Sequence, residues 1–133
     1  MLSHVIIGAR DVARLADFYD VVLAPLGLVR TGTGRIGEQQ GWAWWLPGRR
    51  WPKFCIEEPL NGLPATYGNG GQVSFAAPDR AAVDAAWRAA LATGGADEGA
   101  PGIRAHYSPD FYGAYCRDPE GNKLCFLHAG GLF

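Results

Sequence analysis

Shifted by 68 residues, the second half of the chain falls on the first without a gap. Val5 meets Val73, Ala9 meets Ala77, Asp11 meets Asp79 and Ala13 meets Ala81. Further on, Leu23 meets Leu91, Ala24 meets Ala92 and Gly27 meets Gly95, with Leu15 on Val83 and Tyr19 on Trp87 as conservative pairs. An offset held over that span marks an internal duplication. Alanine richness alone does not produce it, because the matching Asp and Gly residues stand at the start and the end of a helical pattern.

Each copy carries the same signals in the same order. Residues 4–9 and 72–77 are short, β-branched and apolar, as strands are. Asp11 and Asp79 follow as N-caps, where a carboxylate accepts the free N–H groups of a first helical turn. Val12, Leu15, Tyr19, Val22 and Leu26 keep helical spacing, as do Val83, Trp87, Ala90 and Leu91. Gly27 and Gly94-Gly95 end the two helices. Strands are expected at 28–32, 41–46 and 53–58 in the first copy and at 102–106, 111–117 and 123–128 in the second. Residues 59–71 hold two Pro and four Gly and read as a linker. The expected fold class is α+β: tandem duplicated βαβββ modules, 1–58 and 72–133, forming one domain with a curved mixed sheet around a cleft.

Composition narrows the function. Of the 133 residues, 48% are hydrophobic, enough for a core. The net charge of −1 and the absence of a basic run longer than Arg49-Arg50 give no support to a nucleic-acid or anionic-membrane partner. No apolar run has the length of a membrane span. Met1-Leu2-Ser3-His4 lacks the regions of a signal peptide, and the cysteines Cys55, Cys116 and Cys125 are odd in number without CxxC spacing. They read as reduced thiols in a cytoplasmic protein.

The residues Ser3-His4-Val5, Asp17-Phe18-Tyr19 with Leu26-Gly27-Leu28, Gly68-Asn69-Gly70-Gly71-Gln72-Val73 and Asp118-Pro119-Glu120-Gly121-Asn122-Lys123-Leu124 give the chain its resemblance to a known family. It resembles the vicinal oxygen chelate superfamily: lactoylglutathione lyase, the bleomycin- and fosfomycin-resistance proteins and the extradiol dioxygenases. The closing turn motif is the most specific part. The resemblance implies paired βαβββ modules around a cleft, a homodimer, and in many members a divalent metal on the cleft floor.

In the metal-using relatives the ligands come from the first and last strands of each module. Carried over, those positions are His4, Glu57, Gln72 and Cys125. His4 and Gln72 are 68 residues apart, as are Glu57 and Cys125, so the repeat itself relates the two pairs. Imidazole and carboxylate suit a hard divalent ion; a neutral amide is a weak ligand and a thiol a soft one. With only His4 and Glu57 matching the strong pattern, the expectation is no bound metal. The alternative is one ion (Zn, Ni, Mn or Fe) on His4, Glu57 and Gln72.

Aromatic residues crowd both halves: Trp42, Trp44, Trp45, Trp51 and Phe54, then Tyr107, Phe111, Tyr112 and Tyr115. Aromatic walls with a few polar groups suit a small-molecule cleft, although aromatics also fill cores and interfaces. Alternation puts Trp42 and Trp44 on one sheet face and Trp45 on the other. The expected ligand-binding residues are Trp44, Gln72, Arg104, His106, Tyr112 and Cys125. Arg104 is suited to a carboxylate or phosphate and His106 to proton transfer. The leading reading is a cleft that binds a small molecule without the full metal set. The alternative is a metal-dependent lyase or isomerase of the lactoylglutathione lyase type, with Glu57 as both ligand and catalytic base. A dioxygenase ranks below both, since it needs a second His.

Overall fold

The computed structural model describes residues 1–132. The first half runs β1 (His4–Gly8), α1 (Val12–Leu23), a 3-10 turn (Ala24–Leu26), β2 (Val29–Thr31), β3 (Arg35–Ile36), β4 (Gln39–Trp45) and β5 (Lys53–Glu57). The second runs β6 (Val73–Ala76), α2 (Arg80–Ala92), β7 (Ala96–Ile103), β8 (Tyr112–Arg117) and β9 (Lys123–His128). The curved surface is made of two mixed sheets, in the orders β1-β5-β4-β2 and β6-β9-β8-β7, with β3 on β4. In each, the first strand lies parallel to the last.

The helices begin where their caps dictate. Asp11 accepts from the backbone N–H of Arg14, and Asp79 from that of Ala82. The 3-10 turn closes on Gly27, whose φ of 82° is the left-handed conformation that glycine takes without strain. The apolar faces of α1 and α2 pack on their own sheets and on each other, and one buried cluster runs through both halves. Phe54 of the first sheet meets Phe75 of the second edge-on at 5.1 Å within it.

Two differences from the expected strands have physical causes. β7 starts at Ala96, well before the expected 102–106, and ends at Ile103. Gly99, Pro101 and Gly102 are poor strand formers, and β7 is an edge strand whose register on β8 slips twice. The pair Arg35–Ile36 adds a short ladder to β4 that carries no apolar signal of its own.

The turn motif at 118–122 joins the halves. The buried carboxylate of Asp118 accepts from the backbone N–H groups of Glu120 and Asn122, from Asn122 Nδ2, and from the hydroxyl of Tyr19 on α1. Glu120 accepts from the backbone N–H groups of Arg10 and Asp11, at 2.6 and 3.0 Å, just ahead of α1. The linker follows the same seam: Arg10 Nε donates to Ala65 O at 2.6 Å, and a Cβ on Gly8 would stand 2.9 Å from that of Ala65.

Candidate functional site

Strand alternation gives each sheet a helix-facing side and an open side. Val5, Ile7, Phe54, Ile56 and Trp44 face the helices; His4, Ile6, Lys53, Cys55, Glu57 and Trp45 face away. In the second sheet Phe75, Leu124 and Phe126 face inward, while Ser74, Cys125, Tyr115 and Lys123 face away.

This geometry revises the pairing of the two halves. Val5 stands beside Phe54 and Ile7 beside Ile56, as Val73 stands beside Leu124 and Phe75 beside Phe126. The N–H of Ala9 bonds the carbonyl of Glu57, and that of its counterpart Ala77 bonds the carbonyl of Leu127. The last strands are therefore offset by 70 residues, not 68. Cys125 is the counterpart of Cys55, Lys123 of Lys53, and Leu127, not Cys125, of Glu57. The change lies in the hairpins. Trp44 pairs with Phe54, ten residues on, whereas its counterpart Cys116 pairs with Leu124, eight residues on.

The same register separates His4 from Glu57. His4 is opposite Lys53, and Glu57 is four residues further along β5. At about 3.3 Å per residue the two side chains start ~13 Å apart, whereas two ligands of one ion lie within about 4 Å of each other. They also open into different spaces. His4 lines a groove between the halves; Glu57 lines a smaller pocket of about 390 Å³ under the linker residues Pro59, Asn61 and Leu63. Gln72, exposed, donates from Nε2 to Ser74 Oγ at 2.9 Å. Cys125 is buried, and burial pushes its thiol up, partly offset by hydrogen bonds to Ser74 and Tyr115 and by the charges of Arg104 and Lys123. As donors for one hard divalent ion, His4, Glu57, Gln72 and Cys125 do not fit.

Of the expected ligand-binding residues, two turn toward the helices, one fully buried and one half-buried. Trp44 is fully buried, packs at a tilt against Tyr19 and Phe54, and donates from its indole to Asp20 Oδ1 at 3.1 Å. Tyr112 turns to α2, where its hydroxyl donates to Asp84 at 2.7 Å. Both lie on the helix side because an aromatic with a polar tip satisfies that tip on a neighbouring helix. Arg104 and Cys125 do meet, around Tyr115. Arg104 lies 5.5 Å from the Tyr115 ring, crossing the strand where Gly99 and Gly102 leave room, and Lys123 lies 5.6 Å from the same ring. Burial, with Cys125 next, pushes the Tyr115 phenol up to about 12. His106 is exposed and packs on Tyr107 at 4.1 Å.

The sequence reading expected a cleft but missed most of the residues that line this groove. It measures about 900 Å³, and Leu26, Leu28, Leu46, Phe54 and Phe75 form its apolar walls. Its rim carries His4, Arg49, Trp51 and Lys53. The signal was present in residues 46–53, where a longer hairpin gathers Leu46, two arginines, Trp51 and Lys53 into a few residues. Lys53 Nζ sits 4.5 Å from the Trp45 ring and 4.6 Å from that of Trp51. His4 stands 6.0 Å from Trp51, its Nδ1 within 2.9 Å of Ser3 Oγ.

Known proteins place this architecture. The model of the Glyoxalase/Bleomycin resistance protein/Dioxygenase superfamily matches residues 1–126. A glyoxalase/bleomycin resistance protein from Albidiferax ferrireducens T118 is 40% identical, with 97% of this chain and 98% of that chain covered and a TM-score of 0.80. Two others share the fold at lower identity. A glyoxalase/bleomycin resistance protein/dioxygenase family enzyme from Burkholderia phytofirmans PsJN is 22% identical, covering 95% and 96%, with a TM-score of 0.69. A lactoylglutathione lyase from Agrobacterium tumefaciens is 21% identical, covering 97% and 93%, with a TM-score of 0.63. Comparison with curated proteins gives no match. Among the described residues, no helix is long and apolar enough to cross a membrane. On the family match and the 40% identical relative, the chain belongs to the Glyoxalase/Bleomycin resistance protein/Dioxygenase superfamily.

Proposed function

We propose that the chain is a cytoplasmic, homodimeric small-molecule-binding member of its superfamily, and that its ligand occupies the groove between the two halves. The observation that carries this reading is the groove of about 900 Å³, walled by side chains of both halves and edged by a few polar groups. That combination suits an organic ligand. Binding there does not call on a divalent ion held by His4, Glu57 and Gln72. The lyase reading, with Glu57 as ligand and base, asks those groups to meet at one ion, and the register of β1 on β5 opposes it.

The test is a calorimetric titration with decan-1-ol, an uncharged apolar probe. The unmodified protein binds it saturably, Ala76→Trp on the groove wall blocks it, and Glu57→Gln leaves it unchanged. A metal-dependent gain in binding that Glu57→Gln abolishes would overturn the reading.

A further inference from the structure

The apolar walls of the groove say that its ligand has a hydrophobic body; its rim says what charge the other end carries. The chain as a whole is balanced, with 12 Lys and Arg against 13 Asp and Glu. The groove is not. Arg49 and Lys53 line it, and among the described residues no Asp or Glu does. From this imbalance and the surroundings of Lys53, we infer that the groove takes an amphipathic organic anion, a carboxylate or phosphonate on an apolar body, and that Lys53 is the residue that binds its head. The inference rests on the groove being the ligand site.

The setting of Lys53 supports this role. Its ammonium is held between the faces of Trp45 and Trp51, and among the described residues it makes no ion pair with a carboxylate. An ammonium against two indoles keeps an attraction of about 0.5–2 kcal/mol while losing part of its water. A carboxylate arriving there meets a cation that is already positioned and incompletely hydrated. The apolar body then lies along Leu28, Leu46 and Phe54, which line the same groove as Lys53 and Trp51. The rim offers a cationic ligand nothing: Arg49 and Lys53 repel it, and among the described residues no lining carboxylate receives it. The second sheet repeats the device. Lys123, the counterpart of Lys53, shares the Tyr115 ring with Arg104.

Three probes of one chain length separate the possibilities: decanoate, decan-1-ol and decyltrimethylammonium, each titrated calorimetrically into the unmodified protein at neutral pH. Decanoate binds at least about tenfold more tightly than decan-1-ol, the contribution of one charge-assisted hydrogen bond, and decyltrimethylammonium binds weakest. Lys53→Met removes the preference for decanoate and leaves decan-1-ol as it was. Arg49→Met, on an exposed turn, gives a smaller loss in the same direction and serves if the strand substitution disturbs folding. Equal binding of all three probes, or an unchanged decanoate affinity in Lys53→Met, overturns the anion inference while leaving the groove as a ligand site. Failure of all three probes to bind overturns both.

Discussion

Tyr19 on the first helix donates its phenolic hydrogen to Asp118 Oδ2 at 2.7 Å, across 99 residues of chain. Both groups are buried, and burial together with the Asp118 carboxylate holds the phenol well above its ordinary range, so it stays a donor. Asp118 is also the acceptor around which the 118–122 turn is wound. One carboxylate thus closes the last hairpin and fastens it to the opposite half.

Tyr19→Phe removes that bond with little change of shape. A hydrogen bond to a charged group contributes about 1.5–3 kcal/mol. The variant is expected to lose stability in that range, read as a lower urea midpoint with an unchanged slope. A loss below about 0.5 kcal/mol would mean that Glu120 and Asn122 satisfy Asp118 without Tyr19.

Stability is expected to fall in alkali. Burial, with Asp118 next, pushes the Cys116 thiol from its ordinary 9.0 up to about 12, and Tyr115 rises from 10.0 to about 12. In that window the folded chain keeps protons that the unfolded chain releases. The contribution is therefore complete below pH 9 and is lost as pH rises toward 12. Urea midpoints from about pH 8 to about pH 11 should decline, and Cys116→Ala should make the decline shallower without abolishing it, because Cys55, Cys125 and Tyr115 are raised as well. A flat profile in the unmodified protein would contradict this.

The two equivalent hairpins should respond differently to insertion. Added Gly-Ser after Gly48 lengthens a turn that makes no hydrogen bond to a helix cap, and loop lengthening alone costs about 0.6 kcal/mol per doubling. The same insertion after Glu120 disturbs the bonds from Tyr19, Arg10 and Asp11 together. Thermal unfolding should show a shift of a few degrees at most for the first and a large loss for the second.

Assembly is open to a direct measurement. The open face of the first sheet carries the half-exposed apolar side chains of Ile6 and Trp51. We expect light scattering to give twice the 14.3 kDa of the chain at micromolar concentration. An Ile6→Lys variant that stays dimeric would place the contact elsewhere.

Much of the fold was legible because local chemistry and the repeat agreed. The caps at Asp11 and Asp79, the turn at Gly27 and the opposed faces of Trp44 and Trp45 were all readable from residue type and spacing. The site was less so. Alternation shows that Trp44 and Trp45 part company but not which of them meets the helix; the bond from Trp44 to Asp20 decides it. An ungapped comparison follows the repeat through the helix and then loses count at the hairpin. For that reason Cys125 reads as the partner of Glu57 rather than of Cys55. The spacing between ligand positions was legible, and their register was not, because register is set by pairing across the sheet.

The unequal hairpins have a consequence for how such a protein changes over time. Duplication supplied two copies of one turn, and the union of the halves uses only one of them, at 118–122. The other, at 46–52, makes no such latch and instead supplies Leu46, Arg49 and Trp51 to the lining of the groove. Selection for a new ligand can therefore rewrite residues 46–52, insertions included, while the latch that joins the halves goes untouched. Diversity among relatives in what they bind should concentrate in the redundant copy, and invariance in the committed one.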